Sequence, residues 1–187
     1  SLELEANGDW KALGRMLAEA HREGGPRFGW SRDNYIGTTP QQNGWSESWT
    51  EFWLERRLRP QLELARQNGF DLKLDPGFDF LGGHKPRPSL LHGDLWNGNA
   101  GFTPDGPVVF DPAVYYGDRE ADLAMTELFG GFPAEFYEAY NSVWPLDEGY
   151  TRRKPLYNLY HLLNHLNLFG AGYLGQVTAT LRLLLLA

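Results

Sequence analysis

The sequence predicts an α+β protein that is mainly helical, with one small β-hairpin carrying a cluster of polar side chains. Three observations carry that expectation. Apolar residues recur at helical spacing near the N-terminal end and through most of the second half. The middle holds two short apolar runs bounded by turn residues, "SLLHGDLWNGNAGF" and "TPDGPVVFDP". The 187 residues show no internal repeat or low-complexity tract, a length suited to one domain or one large lobe of a two-lobed protein.

Each element has a local reason. Asp9 is a good N-cap for a helix over about 10–23, with Trp10, Leu13, Leu17 and Ala20 as its apolar stripe and Gly24-Gly25 as its stop. "FGWSRDNYIGTTPQQNGW" reads as a long structured loop of the kind that often serves function. Ser46 is expected to cap a helix through "ESWTEFWLERRLRPQLELARQNG", which Pro60 should kink or split. Residues 71–88, rich in glycine and proline, form a connector. Leu90 and Leu91 read as the end of a buried strand. A polar loop, a strand, a turn at Pro104-Asp105-Gly106 and a short strand from Val108 to Phe110 follow. Asp118 is an N-cap, with Arg119 and Glu120 as salt-bridging neighbours. Helices are expected over about 119–129, 133–143, 151–169 and 173–186. The "LELE" at the start looks like a strand fragment entered halfway.

Composition narrows the function. At 42% hydrophobic and 14% aromatic residues a sizeable core is available, so global disorder is excluded. A formal net charge of -7 argues against duplex nucleic acid or an anionic membrane as partner, but suits a phosphorylated ligand that brings a divalent cation. Zero cysteines exclude a disulfide framework and thiolate metal sites, and are compatible with a reducing compartment. No apolar run approaches the ~20 residues of a membrane span.

The polar cluster has the spacing of a phosphoryl-transfer site. Asp94 and Asn99 lie at the two ends of one loop, and Asp111 ends the next strand before Pro112. A hairpin brings the Asn99 and Asp111 ends together. Two carboxylates and a carboxamide oxygen are hard donors that suit Mg²⁺. "HGDLWNGN" fits the protein-kinase catalytic-loop pattern H-x-D-L-x-x-x-N, in which the Asp is the base and the Asn binds metal. "FDP" stands where that family has its metal-binding Asp-Phe-Gly.

"LLHGDLWNGN", "VVFDPAVYYGDREADLAMTELFGGFP" and "PLYNLYHLLNHLNLFGAGYLGQ" together resemble the fructosamine kinase family, as do "FGWSRDNYIGTTPQQNGW" and "WTEFWLERRLRPQL" upstream. The resemblance runs from about Asp9 to Leu186. It implies the C-terminal lobe of a protein-kinase-like, aminoglycoside-phosphotransferase-like fold. It also implies ATP-dependent phosphorylation of a ketosamine, fructosamine or ribulosamine, at the sugar 3-hydroxyl, by a cytoplasmic enzyme using ATP and Mg²⁺. On this basis Asp94 is the catalytic base, and Asn99 and Asp111 bind magnesium. Residues 1–8 are a remnant of the inter-lobe hinge and 9–187 the lobe itself. The chain departs from the family in lacking the glycine-rich loop and phosphate-holding lysine of an N-terminal lobe, so it holds half of the nucleotide clamp and by itself should be inactive.

The flanking residues carry competing readings. Asp94 alone could cap local N–H groups. Asn99 and Asp111 at these spacings make that reading a minor one. His92 packs under the loop. Asp122 either bonds to the backbone of the catalytic loop, as the resemblance implies, or sits in solvent near a helix start. Trp96 either stacks on a sugar or packs on a neighbouring helix. His161 and His165 share a helix face at i, i+4 without a third zinc ligand. With Asn164 and Asn167 they read as polar lining of a substrate pocket or as plain helix surface. Asp33 and Asn34 reach the acceptor site on resemblance alone. Two rival functions remain open: an aminoglycoside- or choline-type small-molecule kinase, and a non-catalytic binding module.

Overall fold

A computed structural model describes residues 4–74, 81 and 83–186 of the protein. Helix α1 spans Trp10–Arg22, and Asp9 caps it by accepting the Ala12 amide at 2.8 Å. Its buried side carries Leu13, Leu17, Ala18 and His21. Gly14 lets α1 pack closely on α5, Ala134–Val143: a Cβ at Gly14 would lie 2.3 Å from the Phe136 carbonyl oxygen.

The long loop after α1 contains a hairpin that periodicity did not reveal. Strands β1, Asn34–Ile36, and β2, Thr39–Gln41, pair antiparallel with Asn34 opposite Gln41. Thr39 and Gln41 are buried, which is the reverse of the usual inward apolar pattern. Ser46 is not the cap of the next helix. Ser48 is, its hydroxyl accepting the Glu51 amide, while the Ser46 hydroxyl bonds to the Ser48 backbone. Helix α2, Trp49–Trp53, passes through a π-helical turn, Leu54–Leu58, into α3, Arg59–Gln67. Pro60 therefore stands in the first turn of α3, just after the widened turn, where a helix tolerates a residue without an N–H.

Strand β3, Ser89–Leu91, pairs antiparallel with β6, Tyr115–Gly117, a strand hidden in sequence because it is three residues long and leads straight into a helix cap. Strands β4, Ala100–Thr103, and β5, Gly106–Val109, form the expected hairpin. The expected connector 71–88 carries no helix or strand among its described residues; 75–80 and 82 lie outside them. Of the start, Glu5 exchanges two 2.9 Å backbone bonds with Phe102 of β4, and residues 1–3 lie outside the described set.

Four elements complete the body. Helix α4, Arg119–Leu128, is capped by Asp118, as expected. Then come α5, α6, Tyr150–Phe169, and α7, Leu174–Leu186, which follows a short 3₁₀ turn. Glu120 does form an ion pair, with Arg153, but Arg119 instead donates to the carbonyls of Trp144 and Pro145. The core lies where α1, α2, α4 and α6 meet, around Leu13, Phe52, Trp53, Leu123, Tyr157, Leu159 and Leu163. Among the described residues no helix is long and apolar enough to cross a membrane.

Candidate active site

Strand β3 ends at Leu91, and the next eight residues form a tight loop closed by a 3₁₀ turn, Asn97–Asn99. The loop is held from beneath by Asp122, in the first turn of α4. Its carboxylate is almost wholly buried and accepts the backbone amides of His92 and Gly93, each at 2.8 Å. Burial would push the Asp122 carboxyl up. The hydrogen bond and electrostatic influence of His21, that of His92, and the Gly93 amide outweigh it and hold the group below its ordinary value. His21 of α1 lies behind it, 3.0 Å from Asp122 and 2.8 Å from the Tyr140 hydroxyl. Sequence reading missed His21. A histidine on the apolar side of α1 was the available signal.

His92 fixes its own tautomer. Its Nε2 is 2.8 Å from the Phe110 carbonyl, which can only accept, and its Nδ1 accepts the Asp94 amide at 3.3 Å. The ring thereby ties the Asp94 loop to the strand that delivers Asp111.

Asp94 is half-buried, and its carboxyl is pushed up to about 6. Burial is the main cause, the charge of Asp122 adds to it and that of Asp111 contributes less; the hydrogen bond from Asn99 opposes the rise. Asn99 donates to the Asp94 carbonyl at 2.8 Å and to its carboxylate at 3.4 Å. With the nitrogen so engaged, the amide oxygen of Asn99 is left for a cation. The expected convergence of Asn99 and Asp111 is present: the Phe110 amide bonds the Asn99 carbonyl at 3.1 Å across the base of the β4–β5 hairpin. Asp111 is exposed and, at φ 53°, is the one non-glycine residue among those described with a left-handed backbone. Strain of this kind collects at functional sites. An exposed carboxylate beside a free carboxamide oxygen is an all-oxygen donor set, which fits a magnesium ion.

The other candidates are distributed around this centre. Trp96 is 38% exposed and sets its edge on Phe129, with ring centres 6.4 Å apart. Phe129 lies 4.6 Å from the His165 ring, and His165 lies 5.4 Å from Phe169 and 5.1 Å from Tyr173. Trp96 and His165 thus belong to one aromatic row beginning at the loop. His165 donates from Nδ1 to the His161 carbonyl, and burial lowers its pKa. His161 is buried and held down to about 3, by burial first and then by His165. Asn164 is buried against α3, where its oxygen accepts from Gln61 at 3.1 Å, and Asn167 also bonds Gln61. Asp33 accepts the Asn43 amide at 2.8 Å, and Asn34 donates to the Val114 carbonyl at 2.8 Å. A second carboxylate group lies apart from the loop. His84, Asp118 and Glu120 bring ligand atoms within 4.8 Å of one another, but Glu120 grips Arg153 and Asp118 takes the Tyr157 hydroxyl and His84.

A family model described as fructosamine kinase matches residues 1–187. The chain belongs to the fructosamine kinase family. Its relatives within that family include a protein of Synechocystis sp. named as a probable ketoamine kinase. It is 52% identical over 181 residues, covering 92% of this chain and 61% of the relative. A Vibrio parahaemolyticus protein of the same description is 52% identical over 175 residues, covering 90% of this chain and 61% of its own length. Among solved structures, a candidate fructosamine-3-kinase of Thermobifida fusca superposes with a TM-score of 0.86 at 42% identity. That match covers 95% of this chain and 65% of the other. One from Haemophilus somnus gives 0.89 at 34% identity, covering 99% and 66%. The chain thus spans about three-fifths of the length of the curated fructosamine-kinase relatives it matches.

Proposed function

We propose that the chain is the C-terminal, loop-bearing lobe of an ATP-dependent ketosamine kinase that phosphorylates the sugar 3-hydroxyl. The observation that supports this reading most is the placement of Asp94. It is a carboxylate with a pKa near 6 on a loop pinned by Asp122, with Asn99 bonded to it and Asp111 one hairpin-width away.

Asp94 is the base. A carboxyl of ordinary pKa is a weak proton acceptor, and one raised toward neutrality is stronger while still ionised at pH 7. It takes the acceptor hydroxyl proton as the oxygen attacks the γ-phosphorus of ATP and the bond to the departing ADP breaks. Asn99 and Asp111 would hold Mg²⁺, which would supply positive charge to offset the phosphates of ATP. The Asp122 and His92 bonds keep the loop from shifting, so the base stays in line with the acceptor. Trp96, Phe129 and His165 offer an apolar face of the kind on which a sugar ring stacks. Asp33, Asn34 and Asn164 spend hydrogen-bonding atoms on the chain itself, while the buried His161 ring keeps its Nδ1 without a partner. The glycine-rich cover and lysine that complete an ATP clamp belong, on this reading, to the length of the relatives that this chain does not span. Glu5, paired to Phe102 of β4, lies in the segment 1–8 that is read as the hinge.

The test is an acceptor screen on the complete natural protein with Mg·ATP, comparing fructoselysine, ribuloselysine, an aminoglycoside and choline. Product is located by ³¹P and ¹³C NMR. Phosphate on carbon 3 of a ketosamine is expected. Phosphorylation of the aminoglycoside or choline alone, or ATP binding without any transfer, would displace the reading.

A further inference from the structure

The carbonyl of Ala113 is a point shared by both catalytic loops. It packs against Gly93, whose φ is +82° and where a Cβ would lie only 2.1 Å from the Ala113 oxygen. Gly93 directly precedes Asp94, and Ala113 follows Asp111 by two residues. The same carbonyl accepts the side-chain amide of Gln41 at 3.1 Å. Gln41 is buried and every polar atom it has is used: its amide nitrogen also donates to Asn34 at 2.9 Å, and its oxygen accepts the Tyr160 hydroxyl at 2.7 Å. Its strand partner Asn34 takes the next carbonyl, Val114, at 2.8 Å. Asn43 donates to the Asn34 oxygen at 2.8 Å, and the fully buried Arg57 donates to Asn43 at 2.7 Å. Arg57 has no carboxylate partner among the described ion pairs and is seated over the Tyr115 ring at 4.0 Å instead.

We propose that Gln41 and Asn34 of the β1–β2 hairpin are positioning residues for Asp111: their amides fix two successive carbonyls just after it and so set its carboxylate against the Asp94 loop. The proposal rests on the reading of Asp111 as a metal ligand. The geometry explains two oddities together. A strand pair buries polar residues where apolar ones would be cheaper, and a non-glycine residue is kept at φ 53°. Bonds on the two carbonyls beyond Asp111 constrain the backbone that holds the left-handed turn, as such strain requires. Groups that orient a metal ligand from behind commonly change metal affinity ~10–100-fold when removed.

The test uses the complete natural protein and Mn²⁺, whose binding is read by water-proton relaxation without any turnover. Gln41→Met keeps the volume and removes the donor. Asn34→Asp keeps the oxygen and removes the bond to Val114, and it serves if the methionine variant does not fold. Either should weaken Mn²⁺ binding ~10-fold and raise the Mg²⁺ demand of the kinase, with the acceptor KM changed far less. Lower melting temperature with unchanged Mn²⁺ affinity in the folded variants would overturn the proposal and leave the hairpin merely structural. Asp111→Ala is the control. If it binds Mn²⁺ as the wild type does, the metal assignment itself fails. If it loses binding while Gln41→Met and Asn34→Asp do not, only the positioning proposal fails.

Discussion

The side-chain nitrogen of Asn99 lies 2.8 Å from the backbone carbonyl of Asp94 and 3.4 Å from its carboxylate. This contact closes the six residues from Asp94 to Asn99 into a ring, with its base and its carboxamide ligand held together. It also sorts the atoms of Asn99: nitrogen inward to the base, oxygen left over. An aspartate at 99 would place a negative charge where a donor is needed, so the carboxamide is the chemically suitable group here.

The raised pKa of Asp94 gives a first prediction. The base must be ionised, so kcat/KM should rise with pH through about 6 and level above it. Asp94→Asn in the complete protein should cost ~10²–10⁴ in turnover and leave Mg·ATP affinity nearly intact. Initial rates from pH 5 to 8 and a nucleotide titration check both. Wild-type turnover by the variant would remove Asp94 from the role.

The same shift has an opposite effect on stability. An acid whose folded pKa is raised resists ionisation in the fold, so ionising Asp94 costs stability. That cost is absent below the ordinary Asp value of ~3.9, grows as pH rises through about 6, and persists above. Asp94→Asn should therefore melt higher than the wild type at pH 8 and equally at pH 4. Melting curves at the two pH values decide it; a lower melting temperature at pH 8 would contradict the account.

Asp122 should behave in the reverse sense. Its folded pKa is depressed, so its contribution is present above ~3.9 and is lost as pH falls through the lower folded value. Asp122→Ala would strand the His92 and Gly93 amides and leave His21 without its acceptor. Breaking a buried set of this kind costs ~3–5 kcal/mol. A large fall in urea midpoint at pH 7 is expected, narrowing as the pH approaches 3. A fall of equal size at both pH values would mean that the charge of Asp122 is not what holds the loop.

How much of this was legible in sequence follows from the range of each interaction. Asp9, Asp118 and the period of α1, α4 and α6 act within a few residues, and the helices came out close to their expected bounds. The spacing of Asp94, Asn99 and Asp111 was legible because one hairpin joins them. Strand β6 and the β1–β2 hairpin were not, since three-residue strands carry no periodicity and their partners lie far along the chain. The same holds for His21, whose role depends on Asp122 at a separation of 101 residues. Ser46 and Ser48 are two residues apart and equally suited to capping; where the chain leaves its bridge with Phe28 decides between them.

Gly93 offers a test of the contact between the two loops. Its φ of +82° is one that an L side chain rarely adopts, and an added methyl would meet the Ala113 carbonyl at 2.1 Å. The neighbour is backbone and cannot swing away. Gly93→Ala should lose ~1–3 kcal/mol from the dihedral alone and more from the overlap. Any folded variant should also be slow, because Asp94 and Asp111 are pushed apart. Thermal melting and initial rates check the pair of effects; a variant close to wild type in both would mean that the loops are not in register as described.

Asp111 separates function from stability most sharply. It is exposed, so its removal opens no cavity, and at φ 53° it holds a backbone that glycine adopts freely. Asp111→Gly removes the carboxylate and the strain together. The extra freedom of glycine in the unfolded chain offsets part of the relief, by ~0.4–1 kcal/mol. The melting temperature should therefore stay near that of the wild type or rise slightly. Metal use should collapse, because Asn99 alone is one neutral ligand, and the remaining carboxylate, Asp94, is committed to the proton. Asp94 would also lose the smaller of the two charges that raise its pKa, so any residual activity should show its acid limb shifted to lower pH. Magnesium titration of activity and a melting curve, taken on one preparation, read both halves. A strong loss of stability with an unchanged magnesium response would make Asp111 a structural residue and its left-handed turn a packing accident.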